Sequence, residues 1–166
     1  ILCYFLVQTN AKTLDEILLK NPMPGIEVHC FTSKPLETTR SQLQSHQKQR
    51  KLFTELFAKC TGVIVSAGNE TIWEAVCRGV PVLAIPTEGH GEQLLNAAVH
   101  ASNFPSLVRT RPKLRFNDLS WLVNVDKFST EARNESADLR SKVTTLLEQG
   151  SPLLGGPPAK GADPLV

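Results

Sequence analysis

Two short apolar runs, Val63-Ile64-Val65 and Val82-Leu83-Ala84-Ile85, flank a segment over residues 70–78 that stops at Gly79. A run with no polar member is the form of a strand covered on both faces, as in a parallel sheet. Gly79 suits the left-handed conformation that ends helices, so residues 70–78 are expected to be helical. Pro86 closes the second run, and another helix is expected over residues 92–102. Strand and helix in alternation leave few options for folding: parallel strands joined by crossover helices, with the ligand at the carboxyl ends of the strands.

The rest of the chain fits that scheme. Residues 1–7 are continuously apolar, as expected of a central first strand. Leu14, Ile17 and Leu18 fall at helical spacing within residues 13–20, and Asn21-Pro22 stops that helix. Residues 26–31 alternate Ile26, Val28 and Cys30 with polar partners, predicting a less buried strand. Residues 32–47 are polar, and no strand is expected there. Leu52, Phe53, Leu56 and Phe57 form a helical stripe within residues 48–59, ended by Thr61-Gly62. A short helix is expected over 118–123 and a longer one over 130–148, with Ala132, Leu139, Val143, Leu146 and Leu147 on one face. The expected fold is α/β, a doubly wound (Rossmann-like) parallel sheet with helices on both faces, over residues 1–149. Residues 150–166, rich in Pro and Gly, are expected to be a tail or linker.

Composition narrows the function. At 166 residues, 41% hydrophobic and 20% charged, the chain suits one domain with one core. A net charge of +2 from 18 basic and 16 acidic residues argues against a nucleic-acid-binding surface. Arg109, Arg111, Lys113 and Arg115 are read as a solvated surface segment. Cys3, Cys30, Cys60 and Cys77 lack the paired spacing of a zinc or redox motif, so no metal is expected and the thiols are read as buried and reduced. No apolar run is long enough to span a membrane. A cytoplasmic location follows as an expectation, with any membrane association made through other parts of the protein. A strand beginning at Ile1, without an initiating Met, suggests a piece of something longer.

Chemistry concentrates in residues 63–97. The turn Ser66-Ala67-Gly68-Asn69 joins strand to helix, where unpaired first-turn amides with the helix dipole behind them favour a phosphate. Gly68, Thr71, Glu74-Ala75, Gly79-Val80-Pro81, Pro86, Glu92-Gln93 and Asn96-Ala97 then follow in order. This series resembles the carboxyl-terminal domain of GT-B glycosyltransferases, especially those whose motif ends Glu-Gln-x-x-Asn-Ala, and more distantly the peptidoglycan-precursor N-acetylglucosaminyltransferase. The fold this implies is one half of a GT-B pair.

The resemblance implies that Gly68, Asn69 and Thr71 face the diphosphate of a nucleotide-sugar donor, Glu74 holds the ribose, and Glu92 with Gln93 takes the sugar hydroxyls. Carboxylates suit vicinal hydroxyls because they only accept, while an amide both donates and accepts. Plainer roles compete. Thr71 and Glu74 have capping-box spacing, Glu92 is a favourable first-turn acid, Asn96 is a candidate loop tie, and His90 is either a solvated loop histidine or a candidate contact to donor or acceptor. The chain also departs from the family. Gln8-Thr9-Asn10 follows the first strand where many members carry Gly-Ser, leaving Thr9 and Asn10 as side-chain donors to the phosphates. Glu70 adds a negative charge within the proposed phosphate turn.

The implied substrate is a uridine-diphosphate sugar or another nucleotide-diphosphate sugar, with no cofactor. Base-recognising residues are expected between Thr38 and Phe53. The general base is expected in an amino-terminal acceptor-binding domain or partner chain, so this half should bind donor without turning it over. Two alternatives stand beside this: a nucleotide-sugar epimerase on the same scaffold, and a non-catalytic or partner-dependent subunit.

Overall fold

The structure, a computed structural model, describes residues 1–37, 42–126 and 129–148. The tail expected over 150–166 lies outside the described residues, as does Thr38. Six strands, β1 (Leu2–Tyr4), β2 (Val28–Thr32), β3 (Leu43–Gln47), β4 (Val63–Val65), β5 (Val82–Ala84) and β6 (Val108–Thr110), form one sheet. Six helices accompany them: α1 (Gln8–Lys20), α2 (Arg50–Phe57), α3 (Asn69–Cys77), α4 (Gly91–Asn103), α5 (Phe116–Asn124) and α6 (Thr130–Glu148). Every strand pair is parallel, in the order β3-β2-β1-β4-β5-β6. The direction of winding reverses between β1 and β4, and the crevice outside their carboxyl ends is where such sheets hold ligands.

Alternation along each central strand builds a core on both faces. Leu2, Val63, Val65, Val82 and Ala84 point to one side, where they meet Phe57 of α2, Ile72 and Val76 of α3, Ala97 of α4 and Leu139 of α6. Cys3, Ile64 and Leu83 point to the other, against Leu14 and Leu18 of α1 and Leu119 of α5. The expected doubly wound sheet with helices on both faces is what forms. Gly79, at φ +67°, ends α3 in the left-handed region, with its amide bonded to Val76 O at 2.9 Å.

Several expectations are corrected. β1 stops at Tyr4, and Leu6 and Val7, expected in the strand, are exposed. α1 begins at Gln8, so Gln8-Thr9-Asn10 is the first turn of a helix and not a loop. β3 lies within the polar stretch where no strand was expected. As an edge strand, it buries Leu43 and needs no apolar run. β6, the opposite edge, carries Arg109, whose guanidinium sits 4.3 Å from the Trp121 ring centre. Arg111 donates from Nε to the buried Asp118 at 2.9 Å. The segment is thus exposed at Lys113 and Arg115, while Arg109 and Arg111 are only partly solvated and are tied to the fold by these contacts. On α6 the buried face is Ala132, Ser136 and Leu139, while Val143, Leu146 and Leu147 are exposed. The first half of that helix makes the anchoring contact, through the Ser136 hydroxyl donating to Cys77 O at 3.1 Å.

All four cysteines are free. Burial pushes the Cys30 thiol up to about 12 and raises that of Cys3 as well, so both behave as small apolar groups. Among the described residues no helix is long and apolar enough to cross a membrane.

Candidate functional site

The site begins where β4 ends. Ser66 is buried, and its hydroxyl accepts from the Leu6 amide at 3.2 Å, tying the loop after β1 to the loop after β4 at the switch point. Ala67 follows at φ +60°, a left-handed conformation that L side chains disfavour. That twist sets Gly68 as the N-cap of α3, and no side chain caps the helix. The amides of its first turn thus have no helical partner and no capping oxygen. The capping box is not formed, because Thr71 is already the third residue of the helix. Glu74 sits exposed one turn further, on the same face as Thr71.

These groups open onto a cleft of about 630 Å³. Gly68, Asn69, Glu70 and Thr71 form one wall with Glu92. A Cβ on Gly68 would meet nothing within 4 Å, so the backbone here faces open space. Lys48, Gln49, Arg50 and Phe53 form the other wall, at the exit of β3 and the start of α2, whose amino terminus also lacks a side-chain cap. Tyr4 and Phe31 close the base, in edge contact with Phe53 at 5.5 and 5.4 Å. The Lys48 ammonium lies 5.1 Å from the Tyr4 ring centre. Two cations on one wall thus share the cleft with the carboxylates of Glu70 and Glu92 on the other.

Of the residues singled out in the sequence, the cleft brings together Gly68, Asn69, Glu70, Thr71 and Glu92. Glu74, Gln93, His90, Thr9 and Asn10 are not among its lining. Gln93 is 5% exposed, and its Oε1 accepts from the Thr87 amide at 2.8 Å, which shapes the loop between β5 and α4. His90 is the N-cap of α4, its Nδ1 accepting from the Gln93 amide at 3.4 Å. Asn96 donates to Ala67 O at 3.4 Å and so ties α4 to the turn. Lys48, Gln49, Arg50 and Phe53 fall within the span from Thr38 to Phe53 where base-recognising residues were expected, whereas Tyr4 and Phe31, strand residues, were not singled out.

Two histidines stand close by. His100 of α4 meets Asn69 Oδ1 through Nε2 at 2.7 Å, and burial lowers its pKa. His46 of β3 stacks on His29 at 5.3 Å and tilts over Phe31 at 4.9 Å. Burial lowers its pKa, and His29 adds to the effect. Among the described residues no group of three or more His, Cys, Asp or Glu side chains could hold a metal ion.

No family model matches the chain. A curated relative, described as an uncharacterized glycosyltransferase of Methanosarcina acetivorans, is 57% identical over 37 residues, 22% of this chain and 10% of that protein. The glycosyltransferase SnogD from Streptomyces nogalater superposes with a TM-score of 0.64 at 13% identity, over 90% of this chain and 43% of its own. Spinosyn forosaminyltransferase SpnP gives a TM-score of 0.61 at 17% identity, over 89% of this chain and 42% of its own. Glycosyltransferase VinC, solved in complex with DTDP, gives 0.59 at 18% identity, over 89% and 40%. The chain therefore has the fold of one Rossmann-like half of a GT-B glycosyltransferase, and spans less than half the length of these structures.

Proposed function

We propose that this chain is the donor-binding half of a two-domain glycosyltransferase and takes a nucleotide-diphosphate sugar, a uridine-diphosphate sugar first of all, into the cleft beside α3. The observation that carries this reading is the uncapped amino terminus of α3, opening into the cleft at the point where the sheet reverses its winding. Unpaired amides with a helix dipole behind them form an anion site, and they strengthen as charge develops on a leaving diphosphate. Gly68, Asn69 and Thr71 hold the diphosphate in this reading. Glu74, stacked one turn past Thr71, takes the ribose hydroxyls. Glu92 meets the sugar, joined by Gln93 through the amide nitrogen that its loop contact leaves available. The aromatic and polar wall from Gln49 to Phe53 receives the base. Thr9 and Asn10, in the first turn of the uncapped α1, contribute amides beside the same strand ends.

Transfer also needs a general base for the acceptor proton. In this reading it belongs to an acceptor-binding half, so the chain alone binds donor without turnover. Titration calorimetry with uridine diphosphate tests the proposal: binding that weakens on Glu74→Gln supports it, and absence of heat rejects it. Glu70, whose carboxylate lines the cleft, favours a second reading in which the chain is a non-catalytic subunit with a decayed donor pocket. Activity that appears only when an acceptor-binding chain and donor are both present, and is lost with Glu74→Gln, decides against decay.

A further inference from the structure

His100 is among the few buried polar residues of the core, 1% exposed behind the first turn of α3. Trp73 meets its ring edge-on at 4.9 Å and Phe104 stacks at 6.2 Å, so the imidazole is held on two sides. Its Nε2 lies 2.7 Å from Asn69 Oδ1, while its Nδ1 is buried with no partner among the described residues. An amide oxygen only accepts, so Nε2 carries the ring hydrogen and Nδ1 keeps a bare lone pair. A second proton on Nδ1 would be a buried donor without an acceptor, which keeps the ring neutral.

The consequence falls on Asn69. A carboxamide can present either its oxygen or its nitrogen to a ligand, and here His100 occupies the oxygen. The end left to turn toward the cleft that Asn69 lines is Nδ2, a donor, beside the uncapped amides of α3. We propose that His100 is a positioning residue for this site: by holding Asn69 Oδ1 it fixes the amide so that the donor end faces an anionic ligand. This inference rests on the diphosphate reading above.

Calorimetry with uridine diphosphate, and ligand-observed NMR with uridine, separate the two ideas. His100→Phe keeps the ring packing and removes the donor, and it should weaken uridine diphosphate about tenfold, the worth of one charge-assisted hydrogen bond. Uridine should bind as before. Asn69→Ala should cause the same loss, His100→Phe in the Asn69→Ala background should add nothing, and His100→Gln, which restores a donor, should recover most of the affinity. Equal losses for uridine and uridine diphosphate, further loss in the double variant, or no loss at all would overturn the role of His100. If His100→Phe does not fold, Asn69→Asp decides. It still accepts from His100 but has no donor, so it must bind uridine diphosphate more weakly than Asn69→Ala, and equal or tighter binding overturns the proposal. A wild-type chain that does not bind uridine diphosphate rejects the diphosphate site itself, and this inference with it.

Discussion

On the α3 side the cleft opens onto the uncapped amides of a helix, with Asn69, Thr71 and Glu92 beside them, whereas the β3–α2 side is lined by the side chains of Lys48, Gln49, Arg50 and Phe53. The first wall is aimed by what lies behind it: the left-handed Ala67, the buried Ser66, and Ile72 and Val76 packed against the sheet. The second leaves an edge strand and depends on exposed residues. An amide wall is specified by its scaffold and a side-chain wall by its own composition. Substitutions behind the first wall should therefore act mainly through stability, and substitutions of exposed lining residues on either wall through ligand affinity.

The largest expected effect tests that division through stability. Ile72→Ala empties a fully buried site under the amide wall, and denaturant unfolding should show a loss of about 2–5 kcal/mol. Phe53→Ala, removing a half-buried ring on the opposite wall, should cost roughly half as much, about 1–2 kcal/mol. Equal losses would mean that the second wall is as much a part of the core as the first.

The same contrast decided what could be read from the sequence. β4 and β5 are covered on both faces, so each shows as an uninterrupted apolar run. Gly68 and Gly79 likewise betray the ends of α3, because backbone geometry there favours particular residue types. β3 and β6 are edges, where one side meets water and the apolar signal disappears. Lys48 and Arg50 fell within the helix expected over residues 48–59, but without β3 nothing in the sequence set the start of that helix at the end of a strand. Over residues 8–10 the reverse holds: a polar stretch with no capping residue carries no helix signal, yet α1 starts there. His100 had no local signal at all, since its partner Asn69 lies 31 residues away and only folding brings them together.

Smaller effects probe ligand affinity. Gly68→Ala should cost only about 0.5–1 kcal/mol, the difference between glycine and alanine at an N-cap, because the backbone conformation suits any residue and the new methyl meets nothing. The methyl would occupy space a ligand needs, and uridine diphosphate should bind about tenfold more weakly. A change in melting temperature without a change in affinity would put the ligand elsewhere. Charge should matter less. Lys48→Ala or Arg50→Ala should weaken binding about two- to fivefold, and added salt should erase the difference, because both side chains are exposed. Glu70→Gln should act oppositely, tightening the anion severalfold while costing α3 about 0.3–1 kcal/mol of favourable first-turn charge. Such a trade would account for an acidic residue in a turn proposed to receive phosphate.

The smallest effect should come from acid, and it compares the walls directly. His100 stands behind the amide wall and His46 at the end of β3, and burial lowers the pKa of each from its ordinary value of 6.5. For a histidine depressed in the folded state, the unfolded chain binds more protons between the two pKa values, so stability rises with pH across that window. The contribution is complete above 6.5 and is lost as pH falls toward the folded values. Melting temperature should therefore drop between about pH 7 and about pH 5. Because His100 is sealed in the core while His46 is half-buried, His100→Phe should flatten that drop more than His46→Gln. If His46→Gln flattened it equally, protonation would cost the open wall as much as the buried one, and the contrast between a scaffolded wall and an exposed one would fail at the residues that should display it best.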